Sequence, residues 1–142
     1  MKYSLIFTVI AFLLLGACNQ NSSENINEST TRSVMDHHWE TFENNDLDGV
    51  MEDYTEESIL ITPEATFRGL EEIRQNFVNA FALFPVDQSN LTLIKNVVEK
   101  DIAYILWEAD TPEFKLSFAT DSFVIRDGKI IRQTYAGVAL PK

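Results

Sequence analysis

The sequence predicts an α+β fold, with helices packed on one face of a curved antiparallel sheet. Apolar residues recur at helical spacing in two segments of the first half of the chain, residues 32–45 and 70–84. The second half instead carries four segments with strand-like residue types and a period of two. The helices therefore precede the sheet in the chain, and neither an internal repeat nor a second domain is expected.

The first helix is predicted over residues 32–45. At about 100° of rotation per residue, His38 lies about 40° from Val34, inside the apolar stripe of this helix. His37 falls at the edge of the stripe and is expected to be solvated. Because adjacent helical residues diverge by about 100°, His37 and His38 are not expected to share an ion, and no metal site is predicted.

Three short elements are predicted next. Asp46 is a good capping residue for a second helix over residues 47–54. Residues 58–62 form a short β-branched strand that Pro63 ends, and residues 66–68 are its candidate return strand.

Gly69 opens the third predicted helix, and Pro85 closes it. Glu71 and Glu72 lie in its first turn, where the helix dipole favours negative charge. The apolar residues of this helix share one face: Leu70, Ile73, Phe77, Ala80, Phe81 and Phe84.

Four longer strands complete the predicted sheet, over residues 91–99, 102–109, 114–126 and 129–138. Asp127-Gly128, between the last two, is a strong two-residue hairpin signal. The four strands therefore form an antiparallel meander.

Length and charge limit the possible functions. With 142 residues, 45% of them hydrophobic, the chain fits one globular domain. Its 11 Lys and Arg against 22 Asp and Glu give a net charge of −11, which argues against a nucleic-acid partner. The single cysteine excludes an internal disulfide.

The N-terminus has the residue pattern of an export signal. Met1-Lys2 precedes an apolar run over residues 3–17, which is shorter than the roughly 20 residues that span a bilayer. The run ends in Leu-Gly-Ala before Cys18, which resembles a bacterial lipobox. Residues 1–17 are thus predicted to be a lipoprotein signal peptide and Cys18 the lipidated residue, although an ordinary signal peptide remains open.

Residues 18–31 are predicted to be a flexible tether that begins at the lipidated cysteine, because they are polar and rich in Asn, Ser, Glu and Thr. The folded domain is predicted over residues 32–140. The acidic front half of this domain would be repelled by anionic head groups, so the lipid would hold the protein at the membrane. The predicted location is the bacterial cell envelope, at the outer membrane or the periplasmic face.

The ordered set of residues from His38 to Tyr135 resembles the nuclear transport factor 2-like superfamily, and within it the SnoaL-like and ketosteroid-isomerase-like branch. The matching segments are residues 45–49, Tyr54, 58–63, 69–74, 120–123, 126–130 and 133–135. The resemblance implies a cone, in which a bent sheet wraps around the helices and an apolar pocket opens at one end. It also implies homodimers that form across the outer sheet face.

Ketosteroid isomerases use a carboxylate base near the end of the first strand, and a Tyr and a protonated Asp that hold the enolate oxygen. By resemblance, the base position here is Thr62, whose hydroxyl is not basic near neutral pH. Steroid-type isomerisation is therefore not expected. The Tyr and Asp positions fall on His38 and Asp121.

His38 and Asp121 are the candidate catalytic residues, because a His–carboxylate pair can act as a general acid and base near pH 7. SnoaL-like cyclases resemble this arrangement. Each residue also has a structural interpretation. His38 can be a core histidine, and Asp121, which alternation places among apolar neighbours, can pair with Arg132 or Lys115.

The aromatic residues, Phe118 among them, can fill the core or line a ligand cavity, and most of them are expected in the core. Tyr54 is a pocket candidate because it follows the short second helix, which faces the cone in similar proteins. The predicted ligand pocket consists of Tyr54, Thr62, Trp39, Phe77, Trp107 and Phe123.

Three functions are compatible with these features, in order of preference. The first is a tethered domain that binds a small, mostly apolar molecule. The second is an acid–base enzyme of the cyclase, dehydratase or isomerase type that uses His38 and Asp121. The third is a homodimeric interaction module with a vestigial pocket. No cofactor is expected, since the sequence has no phosphate-binding Gly loop.

Overall fold

The computed structural model describes residues 26–142, so the predicted signal peptide, Cys18 and most of the predicted tether lie outside the described residues. The helices are α1 (Glu28–Glu43), α2 (Leu47–Glu52) and α3 (Gly69–Leu83), and a 3-10 turn, Val86–Gln88, follows α3. The strands are β1 (Ile59–Ile61), β2 (Thr66–Arg68), β3 (Asn90–Glu99), β4 (Ile102–Asp110), β5 (Phe114–Arg126) and β6 (Lys129–Pro141). The predicted α+β class is confirmed.

All six strands form one curved sheet in the order β2-β1-β6-β5-β4-β3. The meander from β3 to β6 is antiparallel throughout, as predicted, and Asp127-Gly128 forms its last turn with both residues at positive φ. The β1–β2 hairpin extends this meander, because β1 pairs in parallel with β6. This one parallel pair is not part of the sequence prediction, since its two strands lie far apart in the chain.

Helix α1 begins at Glu28, four residues before the predicted start, so the predicted boundary between tether and domain at residues 31 and 32 is wrong. The side chain of Asn27 caps the helix by accepting hydrogen bonds from the backbone N–H groups of Ser29 and Thr30. Thr31 is 1% exposed and donates its hydroxyl to the carbonyl oxygen of Lys100 at 2.7 Å. A polar residue assigned to the tether is thus part of the packed domain.

Helix α2 ends at Glu52, two residues before the predicted end. The backbone N–H of Ile130 donates to the carbonyl oxygen of Asp53 at 2.8 Å, so this carbonyl bonds to β6. A contact between distant segments ends the helix, and it places Asp53 and Tyr54 at the inner face of the sheet.

The core lies between the helices and the inner face of the sheet. Met35 of α1, Ile73 of α3 and Phe123 of β5 are almost completely buried. On β5, burial alternates as predicted, with Ala119, Asp121, Phe123 and Ile125 facing inward.

Phe118 neither fills the core nor lines the cavity, the two positions considered for it from the sequence. The pairing of β5 with β6 shifts between Leu116 and Phe118, which marks a β-bulge. The bulge interrupts the inward–outward alternation, and Phe118 consequently lies on the outer face of the sheet, 45% exposed.

Gly69 joins β2 to α3 at a φ of +73°, where an L side chain costs about 1–2 kcal/mol. A Cβ atom here would lie 3.1 Å from Glu56 Oε2 and 3.2 Å from the Glu56 carbonyl oxygen. Gly69→Ala is therefore expected to lower the free energy of unfolding by roughly 1–3 kcal/mol in urea denaturation.

Gly128→Ala is the matched control for this prediction. Gly128 has the same φ of +73°, but the nearest atom to an added Cβ would be Thr30 Cγ2 at 3.7 Å, an ordinary contact. Gly128→Ala therefore measures the cost of the backbone conformation alone, and a smaller loss in the free energy of unfolding is expected than for Gly69→Ala. Equal losses in the two variants would contradict the steric contribution of Glu56.

Candidate functional site

A cavity of about 520 Å³ lies between α1, α3 and the inner face of the sheet. Its wall is largely aromatic, with the side chains of Trp39, Phe42, Phe67, Phe77, Phe84, Trp107, Phe114, Phe123 and Tyr135. Its polar side chains are His38, Thr62, Glu64, Asn76, Asn79, Asp121 and Gln133. The cavity is therefore a mostly apolar site with a small set of polar groups.

The predicted pocket residues Trp39, Thr62, Phe77, Trp107 and Phe123 all line this cavity, as do His38 and Asp121.

Tyr54 is not among the lining residues, so its assignment to the pocket surface is wrong. Tyr54 is buried behind the wall, where its ring packs edge-on against that of His38 with the centroids 5.7 Å apart. Its hydroxyl donates to Gln133 Oε1, and it thereby supports a lining residue.

Asp121 accepts a hydrogen bond on each carboxylate oxygen. The indole Nε1–H of Trp107 donates to Oδ2 at 2.9 Å, and the amide Nε2–H of Gln133 donates to Oδ1 at 2.9 Å. Asp121 therefore bonds to these neutral donors, and the alternative interpretation, a pairing with Arg132 or Lys115, is wrong. The physical reason is alternation, because Arg132 and Lys115 lie on exposed strand positions while Asp121 faces inward.

Burial is the largest influence on Asp121 and raises the pKa of its carboxyl group above the usual value, whereas the bonds from Trp107 and Gln133 and the charge of His38 oppose this rise. Because Asp121 receives a hydrogen bond on each oxygen, it acts as an acceptor in this network. The successive hydrogen bonds, from Tyr54 to Gln133 and from Gln133 to Asp121, agree with this role.

His38 hydrogen-bonds to Asp53 and not to Asp121, so the two candidate catalytic residues share the cavity without bonding to each other. The Nδ1 atom of His38 lies 3.3 Å from Asp53 Oδ2, and the Nδ1 atom of His37 lies 2.9 Å from Asp53 Oδ1. One carboxylate, itself 5% exposed, thus serves two adjacent imidazoles, because each of its oxygens takes one ring.

This pairing determines what His38 can do. A carboxylate partner at Nδ1 favours the tautomer with a proton on that nitrogen, and Nε2 then carries a free lone pair. The rings of Phe123, at 5.2 Å, and Phe77, at 5.9 Å, hold the imidazole edge-on. His38 and Asp121 consequently contribute two separate proton-accepting groups to one cavity wall.

Sequence reasoning missed Asp53 and Gln133 as site residues. Asp53 lies in an acid-rich stretch and has the pattern of a surface residue, so no local signal marks it. Gln133 could have been found, because it shares the inward alternation of β6 with Tyr135. A polar residue at an inward strand position requires a buried partner, and Asp121 is that partner.

Asp121→Asn is expected to raise the free energy of unfolding at neutral pH. A pKa raised by burial means that the folded protein binds this proton more tightly than the unfolded chain. The stability that Asp121 contributes is therefore complete below the unfolded pKa of 3.8 and is lost as the pH rises through the folded value. The gain should be seen in urea denaturation at pH 7 and should shrink as the pH falls toward 3.8.

The asparagine amide can be accommodated, because a flip of the Gln133 amide lets Gln133 Oε1 accept from it while Gln133 donates to the Tyr54 hydroxyl. Asp87→Asn, at an exposed position on the 3-10 turn, is the control and should leave stability nearly unchanged. Lower stability of Asp121→Asn at pH 7 would mean that the bonds from Trp107 and Gln133 outweigh the cost of burial.

Among residues 26–142, no group of three or more His, Cys, Asp and Glu side chains is placed to hold a metal ion. No helix in this described part of the chain is long and apolar enough to cross a membrane.

Residues 35–133 match the family described as SnoaL-like domain, and the chain belongs to this family. No curated protein matches the sequence at a significant level.

Solved structures share the fold. A candidate ketosteroid isomerase from Kribbella flavida is 14% identical with a TM-score of 0.68, covering 80% of this chain and 81% of that chain. An NTF-2 like protein of unknown function from Burkholderia xenovorans is 14% identical, with a TM-score of 0.66 and coverage of 78% and 84%. A candidate polyketide cyclase from Sinorhizobium meliloti is 20% identical, with a TM-score of 0.64 and coverage of 73% and 94%. At these identities the similarity shows the fold alone.

Proposed function

We propose that this chain is a lipid-anchored protein of the bacterial cell envelope that binds a small, largely apolar molecule in its cavity. The cavity itself carries the binding proposal, since about 520 Å³ is a typical volume for a small-molecule site. Its aromatic wall with a few polar groups is the usual composition of such sites. Thr62, which also lines the cavity, has no basicity for proton abstraction and so favours binding over isomerisation.

Tryptophan fluorescence tests the binding proposal directly, because both tryptophans of the chain, Trp39 and Trp107, line the cavity. A neutral apolar probe such as 4-phenylbutanol is expected to change the emission in a saturable way. Native mass spectrometry of the purified chain is expected to show a co-purified small molecule.

A matched pair of variants on α3 tests whether the fluorescence response comes from binding in the cavity. Ala80 lines the cavity, and Ala80→Phe should weaken the binding of 4-phenylbutanol by roughly tenfold or more, because the added ring occupies the ligand volume. Ala82 is exposed on the same helix, so Ala82→Phe should bind like the wild type. Equal affinities in the two variants, or no saturable response in the wild type, would refute the proposal.

Acid–base catalysis is the second candidate function, and the Asp53–His38 pairing favours it. A carboxylate that orients a cavity-lining imidazole is the usual support of a general base. In a cyclisation, dehydration or isomerisation assay, His38→Ala should lower turnover by about 10²–10⁴-fold with the fold intact. Unchanged turnover in both His38→Ala and Asp121→Asn would eliminate this candidate.

Self-association across the outer sheet face is the third candidate. Phe118 and Val138 pair across β5 and β6 and are 45% and 52% exposed, which leaves an apolar patch on this face. Phe118→Glu should convert a dimer to a monomer in sedimentation analysis. Val78→Glu, at a 44% exposed position on α3, should not. A wild-type chain that is monomeric at every concentration would exclude this candidate.

The lipid anchor is proposed from the sequence alone, because Cys18 lies outside the described residues. Mass spectrometry of the chain extracted from membranes should show an N-terminal Cys18 with the added mass of acyl chains. Cys18→Ser should lose that mass. A chain that fractionates with membranes without any added mass at Cys18 would refute the lipid anchor.

A further inference from the structure

Acidic residues, but no lysine or arginine, contribute to the described lining of the cavity. Its ionisable lining residues are the acids Glu64 and Asp121 together with His38 and Tyr135, and none of the described lining residues is a Lys or an Arg. The side chain of His38 bonds to Asp53, and Tyr54, behind the wall, donates to Gln133. A carboxylate as buried as Asp121 therefore lies beside the cavity without a hydrogen-bonded cation.

Apart from the hydroxyl of Tyr135, which also lines the cavity, the hydrogen-bond donors around Asp121 are already used within the protein. The N–H groups of Trp107 and Gln133 donate to Asp121, and the Tyr54 hydroxyl donates to Gln133. With its proton on Nδ1, His38 has only an acceptor at Nε2. The inner end of the cavity thus offers mainly acceptors, and it selects a ligand group that donates.

Aromatic rings surround the same carboxylate. Trp107 is bonded to Asp121 and packs 6.3 Å from Tyr135, and Phe123 lies two residues further along the same strand face. Tyr135 lies opposite Asp121 in the pairing of β5 with β6, and burial and, next, the charge of Asp121 raise the pKa of Tyr135 to about 12. Rings of this kind attract a cation through their π faces.

We propose that the molecule bound in this cavity is an apolar amine, whose protonated nitrogen meets Asp121 while its apolar body contacts the aromatic wall. An ammonium group supplies both what the buried carboxylate lacks, a hydrogen-bonded cation, and what the acceptors require, N–H donors. This inference rests on the proposed binding function and adds the chemical class of the ligand.

Three probes with one apolar body and different head groups test the inference: 4-phenylbutylamine, 4-phenylbutanol and 4-phenylbutyrate. Binding is measured by Trp39 and Trp107 fluorescence at pH 7, with the full chain on phosphatidylcholine vesicles and protein-free vesicles as the blank. In the wild type, the amine should bind at least tenfold more tightly than the alcohol, and the carboxylate should bind most weakly.

Asp121→Asn should remove the preference for the amine, so that amine and alcohol bind within about twofold of each other while the alcohol still binds. Asp87→Asn, which makes the same change of net charge at an exposed position, should keep the preference.

The possible failures are distinguishable. If the alcohol binds the wild type as tightly as the amine, or if Asp121→Asn keeps the amine preference, the amine inference is refuted while the binding function stands. If none of the three probes gives a saturable response with the wild type, the binding function and the amine inference are both refuted.

Discussion

Phe123→Ala is expected to lower the free energy of unfolding by about 3–5 kcal/mol, the usual cost of deleting a buried phenylalanine ring. Phe123 is 1% exposed and lies in the middle of β5, opposite Ala103 of β4 and Gln133 of β6. Its ring packs edge-on against His38 with centroids 5.2 Å apart. Since domains of this size are stable by about 5–15 kcal/mol, the variant would lose a large part of its stability. Urea denaturation followed by circular dichroism measures the loss.

Phe118→Ala is a matched control, with the same substitution on the same strand. Phe118 lies on the outer face at 45% exposure, so its removal leaves no internal cavity and should change the free energy of unfolding by about 0.5 kcal/mol or less. The comparison is made at a low protein concentration, at which a dimer across this face would dissociate. Equal losses in the two variants would contradict the assignment of the two faces of β5.

Asp53→Ala is expected to lower the free energy of unfolding by about 2–3 kcal/mol, because it leaves the buried Nδ1–H of His38 without an acceptor. Asp53 is the hydrogen-bond partner of both imidazoles, at 2.9 Å from His37 and 3.3 Å from His38. His37, whose side chain is 41% exposed, can bond to water instead, so His38 should account for most of the loss. Urea denaturation at pH 7 measures the change.

Asp48→Ala is the control for Asp53→Ala. The Asp48 side chain is 86% exposed and forms an ion pair with Arg74, so its removal should cost about 1 kcal/mol or less. Nitrogen-15 spectra of the imidazoles give a second measurement. In the wild type, His38 should be the Nδ1–H tautomer, and in Asp53→Ala this preference should weaken. An unchanged His38 tautomer would show that Asp53 does not position the ring.

Most of the fold could be predicted from the sequence, because its elements are specified by local patterns. The helical stripe around His38, the alternation along β5 and the Asp127-Gly128 turn each depend on neighbouring residues alone. The parallel pairing of β1 with β6 has no such signal, since it joins segments from opposite ends of the domain. The assignment of Thr31 to the tether was wrong for the same reason, as the partner of Thr31 is the distant Lys100.

The location of the candidate site was predicted, but the hydrogen bonds within it were not. The helix and strand periods, together with the family resemblance, predicted that His38 and Asp121 lie at one cavity, and both residues line it. Their hydrogen-bond partners were not predictable, because each partner lies on another element: Asp53 after α2, and Trp107 and Gln133 on strands beside β5.

The sequence by itself determined the inward direction of His38 and Asp121, because side-chain direction follows from the period of a helix or strand. It therefore determined that an imidazole and a carboxyl group share an aromatic interior. Only the tertiary structure decided that these two groups remain unbonded to each other. A buried polar group takes the nearest partner in space, and the packing of α2 and β6 brings Asp53 to His38 and Gln133 to Asp121.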